Sequence, residues 1–81
     1  MTVKVYTSDT CPRCKILKTK LQDVSIPYQE ITEVDYNMLR SHGIMSLPVI
    51  ELPNGDLLDF AKSILMITEY KKNPEYQIKE N

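Results

Sequence analysis

From Thr2 to Thr7 polar residues alternate with Val3 and Val5, and this period of two predicts a first β-strand that ends in the polar turn Ser8 to Thr10. The pattern then changes. Ile16, Leu17, Leu21 and Val24 recur at helical spacing, Pro12 sits where a helix tolerates a missing N–H, and Thr10 or Cys11 can cap it, so a first helix is expected from Pro12 to Val24. Pro27 opens a second extended run, Tyr28 to Thr32, and the order strand, helix, strand implies a right-handed crossover to a parallel neighbour. Thr32 or Asp35 can cap a shorter helix that carries Tyr36 and Leu39, and Gly43 suits the left-handed position just beyond it. Two apolar runs, Leu47 to Leu52 and Leu57 to Phe60, flank Asn54-Gly55 and read as a β-hairpin. Phe60, Ile64 and Ile67 then mark a last helix from about Ala61 to Lys72, which Asn73-Pro74 stops before a polar tail, residues 73–81. The result is an α/β chain of order β-α-β-α-β-β-α, with a four-stranded mixed sheet between helices.

Length sets the scale of what this order can build. Eighty-one residues, 42% hydrophobic, have room for one modest core, so residues 1–81 are expected to form a single domain. The two cysteines lie only two residues apart in between, so they cannot staple distant parts of the fold. No apolar stretch approaches a membrane span and no basic leader precedes the first strand, which points to the reducing cytosol. In that compartment a C-x-x-C pair is more plausibly catalytic or metal-binding than structural. A net charge of −1 argues against a nucleic-acid binder run by bulk electrostatics. The charge is nevertheless uneven: residues 1–24 carry five basic and two acidic side chains, and residues 25–59 carry one basic and six acidic. The basic excess, at Arg13, Lys15, Lys18 and Lys20, surrounds the cysteines and can hasten encounter with an acidic partner.

The motif Cys11-Pro12-Arg13-Cys14 falls between the first strand and the first helix. A helix N-terminus offers unpaired N–H groups and the positive end of the helix dipole, and both favour a thiolate at Cys11. Arg13 and Lys15 add fixed positive charge nearby. Cys14 lies three residues before Leu17 and seven before Leu21, on the core-facing stripe, whereas Cys11 precedes the helix. This spacing makes Cys11 the exposed attacking thiol and Cys14 the sheltered resolving thiol, close enough to pair. Far downstream, Pro48 stands at the start of the third strand, where it removes a backbone donor beside the sheet.

Taken together, Val5-Tyr6-Thr7 before the C-P-R-C motif, Leu47-Pro48-Val49 and the Asn54-Gly55 hairpin resemble a glutaredoxin, or one of the similar redoxins that serve ribonucleotide reductase, over about residues 2–72. The resemblance implies the minimal thioredoxin fold and reduction of protein disulfides by Cys11 and Cys14. It implies that the proline matching Pro48 is cis and faces the cysteines, and that the backbone matching Leu47 pairs with the bound thiol substrate. Thr10, Pro12, Arg13, Leu47 and Pro48 would then form the substrate platform of a monomer without bound cofactor. Such a protein is reset by glutathione or by thioredoxin reductase, with NADPH as the electron source. The family motif is usually C-P-Y-C, so Arg13 puts a charge in place of a ring. Glutathione users usually carry a lysine three residues before the first cysteine and a glycine turn after the last strand, where this chain has Ser8 and Asp59-Phe60-Ala61-Lys62. The reductant therefore stays open, with Asp59, Arg40 and Lys62 as alternative contacts for glutathione.

Rival chemistries find little support. A tetrahedral zinc site needs four ligands, and Cys11, Cys14 and the distant His42 fall short; His42 reads as a surface or capping residue. Two glycines are too few for a nucleotide cradle. The competing reading from another class is a binding module whose surface, and not its thiols, serves the partner. Met38, Met45 and Met66 are read as core filler, and Tyr6 and Tyr28 as strand residues whose hydroxyls reach the surface.

Overall fold

A computed structural model describes residues 2–72, so the expected tail at 73–81 and the stop at Asn73-Pro74 lie outside the described residues. The elements are β1 (Val3–Tyr6), α1 (Pro12–Asp23), β2 (Tyr28–Ile31), α2 (Tyr36–Ser41), β3 (Val49–Glu51), β4 (Leu57–Leu58) and α3 (Phe60–Lys72). The strands form one sheet in the order β2-β1-β3-β4. β1 and β2 run parallel, while β3 is antiparallel to both β1 and β4. This open mixed sheet with three helices is compatible with a thioredoxin-like fold. Among the described residues no helix is long and apolar enough to cross a membrane.

The pleat sorts side chains onto two faces. Val3, Val5 and Ile50 meet Leu17 and Leu21 of α1 and Met66 and Ile67 of α3 in the larger core, all buried. On the opposite face Tyr6 and Val49 pack with Leu39 of α2 in a smaller cluster. Two long helices thus cover one face, and the six-residue α2 covers part of the other.

Local chemistry sets the element boundaries. Asp35, and not Thr32, caps α2, accepting the Met38 N–H through Oδ1 at 3.1 Å. Gly43 follows the helix with φ 75°, and its N–H donates to the Arg40 carbonyl, a conformation that costs glycine little. His42 is the C-cap residue of α2, exposed, with Nδ1 2.9 Å from the Met38 carbonyl oxygen. At the hairpin Asn54 Oδ1 accepts the Asp56 N–H at 2.9 Å, and Gly55 takes φ 94°.

Three expectations need correction. The last strand stops at Leu58, because Asp59 turns the chain into α3: its carboxylate accepts the Lys62 N–H at 2.9 Å, and Phe60 becomes the first helical residue. Ile16 is 47% exposed, since the stripe that meets the sheet is Cys14, Leu17 and Leu21, and Ile16 projects well away from it. Met45 is 79% exposed, in the loop that leads to β3, and fills no core space; Met66 is buried and Met38 half-buried.

Both strand tyrosines hydrogen-bond through their hydroxyls. Tyr28 receives a hydrogen bond from Gln22 Nε2 at 2.9 Å. The Tyr6 ring is buried while its hydroxyl donates to Glu51 Oε1 at 2.5 Å. That bond to a carboxylate, with burial and the Glu51 charge adding to it, pushes the Tyr6 pKa up to about 12 from 10.0. A folded-state pKa above the unfolded one means stability that is fully present below pH 10 and lost as pH rises toward 12. Tyr6→Phe should cost about 1–2 kcal/mol at pH 8. Urea titrations from neutral pH to 12 should show the wild type losing that advantage over Tyr6→Phe as the hydroxyl ionises. A constant gap across that range contradicts the assignment.

Candidate active site

Leaving β1, the chain makes a turn in which the Cys11 N–H donates to the Ser8 carbonyl at 3.3 Å. Cys11 is the N-cap of α1, with extended backbone (φ −101°, ψ 104°), and Pro12 occupies the first helical turn. The Cys11 Sγ fills the role usually taken by a serine or aspartate oxygen: it accepts the Cys14 N–H at 3.1 Å. α1 has no acidic residue in its first turn, so no side chain there opposes the positive end of the helix. This geometry favours negative charge on Cys11 once the pair is reduced.

The two sulfurs have different surroundings. Cys14 is 1% exposed and joins the buried stripe with Leu17 and Leu21, whereas Cys11 is half-buried. They are joined as a disulfide, with a Cα–Cα separation of 5.3 Å. That spacing lies within the range disulfides ordinarily span.

Strand register brings the other expected site residues to the same end of the sheet. Tyr6, the last residue of β1, stands opposite Val49, the first of β3. The chain therefore enters β3 through Leu47-Pro48 where β1 leaves toward the cysteine turn. The Leu47–Pro48 peptide is cis, Pro48 is buried and Leu47 half-buried. β4 runs back antiparallel to β3, so Asp59 and Phe60 also emerge at this end. Thr10, Pro12 and Arg13 are all exposed around Cys11.

Phe60 is a neighbour of the cysteine turn that the sequence alone does not point to. The Arg13 guanidinium lies over its ring, 5.5 Å from the centroid, joining the start of α1 to the start of α3. Only the return of the hairpin brings these residues together. Linear spacing carries no signal for the contact.

His42 takes part in the last turn of α2, and Asp59 is engaged in capping α3. Among the described residues no group of three or more His, Cys, Asp or Glu is placed to hold a metal ion. A groove of about 480 Å³ runs between His42-Gly43 at the end of α2 and Asp56, Asp59 and Lys62 at the hairpin and the start of α3. Neither cysteine lines it. No protein-family model matches the chain, and no curated protein matches it. The pair in its small α/β setting is consistent with a redox role.

Because Cys14 is buried and Cys11 reaches solvent, alkylation of the reduced protein should be selective. Mass mapping after brief iodoacetamide treatment should find Cys11 modified at least about tenfold faster than Cys14. Equal labelling, or faster labelling of Cys14, contradicts the geometry.

Proposed function

We propose that this protein is a glutaredoxin-like dithiol–disulfide oxidoreductase of the cytoplasm that reduces disulfides in partner proteins. The observation that carries the reading is the Cys14 N–H aimed at the Cys11 sulfur from the first turn of α1, with the second sulfur buried one turn away. That arrangement suits a pair that alternates between dithiol and disulfide better than a structural staple, which gains by closing a long loop.

In the proposed reaction the Cys11 thiolate attacks one sulfur of the substrate disulfide. A bond forms between Cys11 and that sulfur, and the other substrate sulfur leaves as a thiolate that takes up a proton. Cys14 then gives up its proton and attacks the Cys11 sulfur, which releases the second substrate thiol and closes the Cys11–Cys14 disulfide. One substrate disulfide becomes two thiols, and the protein's two thiols become one disulfide. A thiol reductant, glutathione or thioredoxin reductase drawing on NADPH, restores the pair. The Cys14 N–H favours the thiolate both before attack and when Cys11 becomes the leaving group in the reverse direction. Thr10, Pro12, Arg13 and the Leu47-Pro48 segment would form the platform on which the substrate rests, a reading supported by the strand register that brings them to one end of the sheet. Ribonucleotide reductase is one partner of the proposed class, and the protein would act as a monomer.

A second reading, a binding module without redox turnover, draws on exposed apolar side chains that lie on both sides of the sheet, Ile16 and Leu65 on α1 and α3, Tyr36 on α2 and Met45 in the loop to β3. The two readings separate cleanly. The oxidoreductase should reduce a model protein disulfide catalytically when supplied with NADPH and either glutathione plus its reductase or thioredoxin reductase. Cys11→Ser should retain less than about 1% of that rate, and Cys14→Ser should accumulate a mixed disulfide through Cys11. No turnover with either reductant, or trapping in the reverse order, contradicts the proposal. A binding module would keep its cellular role with both cysteines changed to serine.

A further inference from the structure

The Arg13 guanidinium lies against the Phe60 ring, which restricts an otherwise flexible side chain. The guanidinium sits over the ring face, a contact that occupies none of its N–H donors with an acceptor, so those on the side away from the ring are open to a ligand. Among the described residues Arg13 makes no hydrogen bond or ion pair, so these donors have no protein acceptor. The group sits two residues from Cys11, on the first turn of α1, and is exposed. The surroundings favour an anion. Neither α1 nor α3 carries an acidic residue in its first turn, and Lys15 and Lys62 are exposed on the same two helices. Two acids oppose them, Asp9 in the loop before Cys11 and Asp59 at the start of α3. The Asp59 carboxylate is already engaged, because its Oδ1 accepts the Lys62 N–H.

We propose that Arg13, held on the Phe60 ring, selects substrates in which a carboxylate lies next to the target disulfide, by taking that carboxylate on its outward N–H donors. The inference rests on the oxidoreductase reading and names its substrate class. A planar fork matches a carboxylate with two parallel hydrogen bonds, so a side chain one or two residues from the attacked sulfur would be gripped as the mixed disulfide forms. The electron bookkeeping of the exchange is unchanged. Arg13 contributes affinity and orientation and transfers no proton.

The test compares two peptide disulfides that differ only in Asp or Asn beside the half-cystine. Each rate with the fully reduced protein, in a single turnover without added reductant, is divided by the rate of the same peptide with dithiothreitol, which removes intrinsic differences in disulfide reactivity. A second pair, glutathione disulfide and its ethyl ester, tells a tripeptide carboxylate from a protein side chain. The wild type should favour the acidic member of at least one pair about three- to tenfold, a preference that shrinks as salt is raised. Arg13→Gln should bring the ratio near one, Arg13→Lys should keep part of it, and Phe60→Leu should reduce it by freeing the guanidinium. Because each ratio is taken within one preparation, a loss of folded protein cancels; if Arg13→Gln does not fold, Arg13→Lys and the salt series decide. Ratios near one in both pairs for the wild type, or a preference that Arg13→Gln leaves intact, overturn this proposal alone. Reduction of no substrate in either pair overturns the oxidoreductase reading together with it.

Discussion

Everything at the proposed reactive end of this protein depends on one contact, the Cys14 N–H donated to the Cys11 sulfur. A helix must find acceptors for the N–H groups of its first turn, and an oxygen side chain usually serves. Here sulfur serves. The capping requirement fixes where Cys11 sits, and the burial of Cys14 beside Leu17 and Leu21 fixes how the helix lies on the sheet. The two cysteines therefore differ because one belongs to the helix end and the other to the core. Their division of labour in thiol exchange would follow from packing, without any further catalytic group.

The rest of the fold brings supporting residues to that end. Parallel pairing of β1 and β2 sends α1 across one face, and antiparallel pairing of β1 with β3 delivers Leu47-Pro48 beside the cysteine turn. The hairpin then reverses the chain so that α3 also starts there, with Asp59 as its cap and Phe60 under Arg13. Two helix N-termini meet at one edge, each with an exposed cation nearby. On the opposite face, α2 and the Tyr6–Glu51 hydrogen bond cover part of the sheet and lend stability.

Much of this was legible in the chain itself, because local rules and tertiary packing agree. Alternation over Thr2 to Thr7, Pro12 at the first turn of a helix and the Asn54-Gly55 turn each state a backbone preference that the fold keeps. Cys14 could be assigned to the core because it shares a stripe with two leucines. Two of the differences share one cause, that apolar character alone does not mean burial. Ile16 lies off the stripe and Met45 sits on a loop, so both meet solvent. Phe60 looked like the end of a strand, since its neighbours are Leu57 and Leu58, but the Asp59 carboxylate capping Lys62 carried it into a helix. The Arg13–Phe60 stack depends on strand register across 47 positions of chain, which no local pattern encodes.

The central claim is that the helix terminus, through the Cys14 amide, favours the charged form of Cys11. Ultraviolet thiolate absorbance measured against pH in Cys14→Ser, which leaves one thiol and keeps the backbone N–H, tests it directly. Ionisation at a pH well below that of an unperturbed cysteine thiol, reverting toward it on unfolding in denaturant, is the predicted result. Ionisation at the ordinary pH in the folded protein, unchanged by denaturant, would contradict the account.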